Sequence, residues 1–282
     1  MKRSFLLLGL LLSSYVLILI PFSGYLQQKT FVEKLGYTPQ PEALRILSAD
    51  QKQFVAASLV MKVLFYFGSL VEKNQGKITL PPDYFGMYKT IETALKLDPY
   101  NMDGYYFAQA ILVWDVGRVQ EANSLLEYGM QYRDWDWYLP FFAGFNYAYF
   151  LKDYQKAAKC YRKAADLTGN ELFTNLAGRY LHESGQTEMA IAYLSAMEKG
   201  AKNDAIRKTF KLRLQAFREV RKIEQARVAY RRATGRDPMS VSDLVLKGFL
   251  KEIPVDPYGG TFFLAKDGRA LTTSKFAFGV AK

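Results

Sequence analysis

The hydrophobic positions of this sequence fall into three patterns along the chain. Residues 5–26 form one apolar run, residues 51–230 carry apolar side chains at every third or fourth position in several stretches, and residues 261–272 hold two short strand-like stretches around a glycine. A spacing of three or four predicts amphipathic helices, and short apolar stretches flanking a glycine turn predict paired strands. The pattern therefore predicts a mainly helical protein with an apolar segment in front and a strand pair behind.

The apolar run at residues 5–26 contains no charged residue. At a rise of about 1.5 Å per residue, a helix of this length crosses the roughly 30 Å hydrocarbon core of a membrane. The alternative is a cleaved signal peptide, but its best cleavage site, Phe22-Ser23-Gly24, has a bulky phenylalanine where a small residue is required. We predict residues 1–26 as an uncleaved transmembrane anchor.

The charges before the apolar run predict its orientation. Lys2 and Arg3 precede it, and positively charged flanks favour the cytoplasmic side. The bulk of the chain would then lie on the far side, which in a bacterium is the periplasm. No cysteine lies near the end of the run, which excludes a lipid-anchored lipoprotein. We expect a single-pass inner-membrane protein with its body in the periplasm.

Three stretches of the body share a polar turn, an alanine and a large apolar residue four positions after the alanine. The pairs are Ala122 with Leu126, Ala157 with Tyr161, and Ala190 with Leu194. This pattern resembles the tetratricopeptide repeat, a unit of two antiparallel helices with a small residue where they cross. The resemblance implies stacked helix pairs over residues 51–203 that share a continuous core and leave a concave face free.

The same resemblance extends to an earlier unit and to the region before it. The first helix of that unit is expected over residues 51–73, and its second helix ends at Leu97-Asp98-Pro99. A stretch with two prolines at 74–83 breaks the periodicity and predicts a long loop between the two helices. Residues 27–50 are expected to be a linker.

Residues 204–235 predict a long helix that caps the array and carries most of the charge. Apolar residues recur along one side of it from Phe210 to Tyr230. Residues 199–236 contain thirteen Lys and Arg and three acidic residues, in a chain of formal net charge +11. We expect this basic face, with Arg218, Arg221 and Lys222, to contact anionic lipid or an acidic protein; the alternative is a solvated surface. Nucleic acid is not expected, because no reading motif accompanies the charge.

Residues 236–282 predict a different structure, with a short helix at 241–250 and strands at 261–264 and 269–272. The stretch 226–274 resembles the carboxyl-terminal half of type II secretion pseudopilins. The matching residues are Tyr230, the Gly235-to-Pro238 turn and Asp256-Pro257-Tyr258-Gly259. That family can bind calcium here, but Asp256 and Asp267 are too few for a shell of six to eight oxygens. We therefore expect a small structural cap without a metal.

The composition limits the chemistry open to this chain. One cysteine and one histidine in 282 residues exclude an intramolecular disulfide and a Cys/His zinc site. We expect Cys160 to be a packing residue and His182 to lie at the surface or at a helix end. Asp134 and Asp136 flank Trp135 as the best carboxylate pair, but such near neighbours do not oppose each other across a sugar. We interpret this stretch as a junction between repeats, with its rings packed inward and its acids capping the next helix.

Together these features predict an all-α, tetratricopeptide-like solenoid behind a transmembrane helix, with a small α+β hairpin cap. The predicted function is a membrane-anchored scaffold that binds a protein partner in its groove, without catalytic residues or a cofactor. The aromatic residues expected to bind are Tyr106, Trp135, Trp137, Phe141 and Tyr147. One alternative is a component of a type II secretion or type IV pilus-like apparatus. Another is a carboxylate-dependent cell-envelope enzyme that uses the Asp134 and Asp136 region.

Overall fold

The computed structural model describes residues 2–28, 34–72 and 82–274. Within these residues it contains twelve α-helices and one antiparallel sheet of two strands. The prediction of a mainly helical chain with a small strand pair is confirmed. The chain divides into two compact units, Met1–Phe107 and Ala108–Lys282.

The first unit contains a pair of packed helices and an apolar amino-terminal helix. Its elements are α1 Lys2–Gln28, α2 Pro41–Leu47, α3 Lys52–Glu72, α4 Tyr84–Leu97 and the first part of α5 Met102–Ala110. The helices α3 and α4 share a core that includes Ala56, Val60 and Ala94. The first helix expected at 51–73 is thus present, whereas most of the loop expected at 74–83 lies outside the described residues. The expected linker contains α2, which contacts α4.

One segment of the described residues, Ala49–Leu70, is long and apolar enough to cross a membrane, by length and composition. It is not the segment predicted as the anchor. The predicted anchor at residues 5–26 lies within α1, where Leu11–Tyr25 forms an apolar helix whose side chains are mostly exposed. The two segments differ in environment, because Ala56, Val60 and Leu70 of the later segment are buried.

The second unit is a succession of helices in which each packs against the next. The helices are α6 Val119–Tyr132, α7 Tyr138–Tyr149, α8 Tyr154–Thr168, α9 Glu171–Glu183, α10 Thr187–Lys199, α11 Asp204–Thr234 and α12 Val241–Leu246. The alanines of the sequence pattern, Ala122, Ala157 and Ala190, are buried in α6, α8 and α10. The helices of this unit therefore fall where the sequence pattern places them.

The long helix α11 organises the end of the second unit. The Asn203 side chain accepts a hydrogen bond from the Ile206 amide at its start, and Gly235 ends it with a φ of +72°. Its buried side, which includes Phe217 and Ile223, packs in one core with α10, α12 and the sheet. A long helix is thus present where one is predicted, over residues 204–234.

The carboxyl-terminal sheet pairs β1 Phe262–Leu264 with β2 Ala270–Thr272, with Phe263 opposite Leu271. Gly268 has a φ of +81° in the turn between them, as the hairpin signal predicts. The short helix expected at 241–250 is only six residues long. It stops at Leu246 because Gly248, with a φ of +77°, turns the chain out of the helical conformation.

Candidate functional site

Four aromatic side chains form a partly exposed cluster in the second unit, here called the aromatic ridge: Trp114, Phe145, Tyr149 and Phe150. The rings of Trp114 and Phe150 meet edge to face, with 5.2 Å between centroids, and those of Phe145 and Tyr149 stack at 5.4 Å. Trp114 is 61% exposed and Tyr149 is 58% exposed. Each exposed ring therefore contacts a half-buried phenylalanine that limits its motion.

A wide helical turn presents Trp114 on the surface. The helix α5 continues into a π-helical turn at Ile111–Asp115, where the Val116 amide donates to the Ile111 carbonyl at 3.1 Å. The three residues before Trp114 in this turn are buried, whereas Trp114 is exposed. Single π-turns within helices occur frequently at functional sites.

Three buried amide side chains tie together the helices that carry the ridge. The Asn146 amide donates to Gln109 at 2.7 Å and to Asn123 at 2.8 Å, and the Gln109 amide donates back to Asn146 at 3.2 Å. The three residues belong to α5, α6 and α7. The Asn123 Nδ2 atom is buried without a hydrogen-bond partner, so the cluster is only partly satisfied. Its three hydrogen bonds nevertheless link α5, α6 and α7 beneath the ridge.

The stretch with Asp134 and Asp136 forms a helix junction in the structure. Asp136 is buried, pairs with the Arg133 guanidinium at 2.9 Å and accepts a hydrogen bond from the Tyr138 amide at 3.1 Å. This bond satisfies the first amide of α7, but the N-cap residue is Trp137, which makes no side-chain cap, so the acids do not cap the helix in the way predicted. Asp134 is exposed, and its side chain takes no part in that bond.

The predicted aromatic binding residues occupy different places. The rings of Trp137 and Phe141 meet Phe173, at centroid distances of 5.3 and 5.7 Å. Trp135 was expected to pack inward with them, but it is exposed, and its ring lies 5.5 Å from the Arg133 guanidinium. The structure therefore brings Trp137 and Phe141 together and directs Trp135 to solvent.

Tyr147 and Tyr106 complete that predicted set. Tyr147 is buried, and its hydroxyl donates to Glu127 at 2.6 Å. Burial is the main reason that the pKa of Tyr147 is raised above its usual value. Tyr106 is half-buried in the first unit. Tyr147 is thus a core residue in this conformation, not part of the exposed surface.

The basic side of α11 is partly neutralised by ion pairs. Arg221 donates to Glu188 at 2.9 Å and Lys222 to Glu219 at 2.7 Å, whereas Arg218 is exposed. Arg213 is buried and donates to the Asn175 carbonyl at 3.3 Å. The positive charge is therefore less concentrated at the surface than the sequence suggests. An exposed stripe persists, and its members are Lys208, Lys211, Arg218, Lys222 and Arg232.

His182 lies in the last turn of α9, one of the two predicted positions, but it is not a surface residue. It is 7% exposed, because α10 and α11 cover it. Its Nδ1 atom lies 2.9 Å from the Thr187 hydroxyl, which donates to Glu224 at 3.2 Å. Burial lowers the pKa of His182 to about 4, with a smaller contribution from Arg269. The ring is consequently neutral near pH 7.

Cys160 is buried in α8, as predicted for a packing residue. Burial raises the pKa of its thiol to about 12, so the reactive thiolate is scarce at neutral pH. Across residues 2–28, 34–72 and 82–274, no group of three or more His, Cys, Asp or Glu side chains is placed to hold a metal ion.

The Asp-Pro-Tyr-Gly motif has a structural role at the hairpin. Asp256 is buried, and its carboxylate accepts hydrogen bonds from the Tyr258 amide, at 2.8 Å, and from the Thr272 hydroxyl. Gly259 follows with a φ of +80°. The carboxylate thus closes a turn and joins it to β2.

A scan of protein-family models and a search of curated proteins find no match to this chain. The likenesses to tetratricopeptide repeats and to pseudopilins therefore stay predictions from the residues quoted above.

Proposed function

We propose that this protein is a membrane-anchored helical-repeat scaffold that binds a partner protein through the aromatic ridge. The observation that carries the proposal is the exposure of Trp114 and Tyr149 in a cluster whose other rings are half-buried. Tryptophan and tyrosine contribute large contact areas at a small entropic cost and are enriched at interface hot spots. A cluster held in place before binding reduces that cost further.

A recurring contact between helices supports a repeat architecture. A Cβ atom added to Gly144 would lie 3.2 Å from the Tyr161 ring, and one added to Gly178 would lie 2.9 Å from Leu194 Cδ1. The two contacts occur at equivalent positions of consecutive helix pairs, α7 with α8 and α9 with α10. A small residue against a large one at each crossing is what the tetratricopeptide resemblance implies, and stacked pairs of this kind form a solenoid.

The anchor in this proposal is α1. Its apolar side chains from Leu11 to Tyr25 are mostly exposed, so they gain from burial in lipid. The Ala49–Leu70 segment is the competing candidate, but it contains Lys62 and uses part of its apolar surface against α4. With Lys2 and Arg3 on the cytoplasmic side, the body would face the periplasm from the inner membrane.

The test compares the proteins that co-purify with full-length chains extracted from their native membrane. Replacing Trp114 and Tyr149 with Ala should remove a specific set of co-purifying proteins. A chain with Leu167→Ala and Leu172→Ala, which also loses two exposed apolar side chains, should retain that set. Equal recovery with all three chains would overturn the proposal.

A second candidate is a component of a secretion or pilus-like apparatus. The observation that favours it is the exposed apolar surface of the carboxyl-terminal segment, where Met239 is 93% exposed and Leu246 and Val255 are also exposed. Exposed apolar side chains mark an interaction surface where they form one contiguous patch. Loss of the co-purifying proteins from a chain with Leu246→Ser and Val255→Ser, but not from the ridge variant, would favour this candidate.

A further inference from the structure

Three lysines on one side of α8 face a cleft that the ridge does not include. Lys156, Lys159 and Lys163 follow one another at intervals of three and four residues, which places them on one side of the helix. Together with Glu127, Met130 and Gln131 of α6 and with Cys160, they line a cavity of about 480 Å³. We call this cavity the lysine groove.

The groove carries an excess of positive charge. Its lining contains three ammonium groups and the single carboxylate of Glu127, which already accepts the Tyr147 hydroxyl. Within the described residues, no carboxylate lies within 4 Å of the Lys159 or Lys163 ammonium group, whereas Lys156 lies 3.8 Å from Asp153. The groove is therefore suited to a ligand that brings negative charge.

Local contacts hold two of the lysines in place. The Lys163 ammonium donates to the Met130 carbonyl at 3.1 Å, which keeps it against the end of α6. The Lys156 ammonium lies 5.0 Å from the centroid of the Tyr147 ring. Because Tyr147 is itself fixed by Glu127, both ends of the lysine row have a defined position before a ligand binds.

The spacing of the lysines indicates the shape of the ligand. The first and last are seven residues apart, which corresponds to about 10 Å along a helix axis. A single small anion is normally held by donors that converge on one point, whereas an extended peptide presents side chains on one side about 7 Å apart. A row of separated ammonium groups thus fits several carboxylates on one strand better than one phosphate.

We propose that the lysine groove binds an acidic, extended segment of the partner protein. This inference rests on the proposed scaffold function and adds a second contact to it, chemically distinct from the aromatic ridge. Charged contacts of this kind accelerate association and select for the acidic partner, while the ridge contributes apolar area.

The binding test uses full-length protein in detergent and a fluorescein-labelled peptide of alternating glutamate and serine. Fluorescence anisotropy at low salt should show binding that weakens about tenfold or more when Lys156 and Lys163 are both replaced by Glu. A matched chain with Lys247→Glu and Lys266→Glu, two exposed lysines outside the groove and outside the basic side of α11, has the same change in net charge and should bind nearly as well as the original. Equal weakening in both chains, or complete displacement of the peptide by inorganic phosphate, would overturn the inference.

Cys160 offers a reporter inside the groove, because it is the only cysteine of the chain. Its alkylation rate, measured by mass spectrometry, should fall when the peptide binds to the original protein and stay unchanged in the Lys156→Glu, Lys163→Glu chain. An unchanged rate in the original protein with peptide bound would also overturn the inference.

The same thiol shows whether a variant has folded. In a folded chain the buried Cys160 reacts slowly, so fast alkylation of the double variant without peptide would identify it as misfolded. In that case the Lys159→Gln variant, which changes an exposed lysine, replaces the double variant in both the anisotropy and the alkylation measurements. If the original protein fails to bind the peptide but still co-purifies with its ridge-dependent partners, only the groove proposal is overturned. If those partners are not recovered either, the scaffold proposal is overturned as well.

Discussion

Gly178 of α9 lies directly against Leu194 of α10. A Cβ atom added to Gly178 would come within 2.9 Å of Leu194 Cδ1 and 3.0 Å of Leu194 Cγ, and Leu194 is completely buried. Real Cβ contacts are almost never this short, so a side chain at position 178 would require Leu194 to move. The glycine and the leucine thus form a matched pair that sets the helix separation.

Replacing Gly178 with Ala should lower the free energy of unfolding by about 1–2 kcal/mol. Overpacking a buried site costs about 1–3 kcal/mol, and the better helix propensity of alanine returns up to about 1 kcal/mol. Thermal unfolding of the full-length protein in detergent measures the change. Gly200→Ala is the control, because the nearest atom to its added Cβ is 3.7 Å away. We expect a change there below about 0.5 kcal/mol.

The same contact predicts partial rescue by a second substitution. Leu194→Ala alone leaves a cavity and should cost about 2–5 kcal/mol. Combining it with Gly178→Ala should cost less than the sum of the two, because the new methyl group enters space that Leu194 vacates. Strict additivity would mean that the helices do not touch at this point.

His182 should make stability depend on pH below neutrality. Its pKa in the folded protein is about 4, below the ordinary value near 6.5, so the unfolded chain binds more protons between these values. The free energy of unfolding should therefore fall as the pH drops from 6.5 to 4, by at most about 3 kcal/mol. Glu224, whose pKa is raised mainly by burial, acts in the opposite direction and reduces the net loss.

Denaturant unfolding at several pH values separates these two groups. His182→Asn should flatten the slope between pH 6.5 and 4, because asparagine keeps a donor near Thr187 but cannot titrate. Glu224→Gln should steepen the slope, since it removes only the opposing contribution. A slope that does not change with His182→Asn would show that the imidazole does not titrate as its burial requires.

Asp256 should be essential to the carboxyl-terminal hairpin, and Asp267 should not. Replacing Asp256 with Ala leaves the Tyr258 amide and the buried Thr272 hydroxyl without their acceptor, at a cost of about 1–3 kcal/mol. Asp267→Ala removes a surface carboxylate that pairs with Arg269, which is worth less than about 1 kcal/mol. Amide hydrogen exchange at residues 262–272 measures both effects. Similar protection in the two variants would contradict the role assigned to Asp256.

Deleting residues 1–26 should release the protein from the membrane fraction, because α1 is the proposed anchor. Membrane flotation and immunoblotting measure the distribution. If the truncated chain stays in the membrane after washing at high salt, the Ala49–Leu70 segment is the anchor instead.

The exposed stripe of α11 should bind anionic vesicles in that truncated chain. Each basic residue near an anionic surface is worth about 1 kcal/mol, so Arg218→Glu with Lys222→Glu should weaken binding by more than about tenfold. Lys159→Glu with Lys163→Glu on α8 is the charge-matched control. Sedimentation with phosphatidylserine vesicles at low salt is the measurement, and equal binding by all three chains would show that the stripe is only solvated.

Local sequence signals are sufficient to predict the helices of this protein but not its exposed surfaces. The buried Ala122, Ala157 and Ala190 could be found because a helix crossing requires a small residue, and the requirement recurs with the repeat. Gly235 and Gly268 marked a helix end and a turn for similar local reasons. These positions depend on neighbours within a few residues, so pattern analysis identifies them.

Other features depend on residues far apart in the chain. His182 is covered by α11, and the carboxylate nearest to it, Glu224, is 42 positions further on. The ridge needs the π-turn at Trp114, and the hydroxyl of the buried Tyr147 donates to Glu127, 20 positions earlier. The spacing of residues along the chain does not reveal such contacts. For this reason the sequence predicts Tyr147 in the repeat groove and does not predict the aromatic ridge.

The most direct test of the central claim is site-specific photo-crosslinking in the native membrane. A photoreactive amino acid at position 149, in the ridge, should give a discrete adduct with one partner protein. The same group at position 167, where Leu167 is also exposed, should not give that adduct, and Trp114→Ala should weaken the adduct formed from position 149. No adduct from position 149, or the same adducts from both positions, would contradict a scaffold that binds through the aromatic ridge.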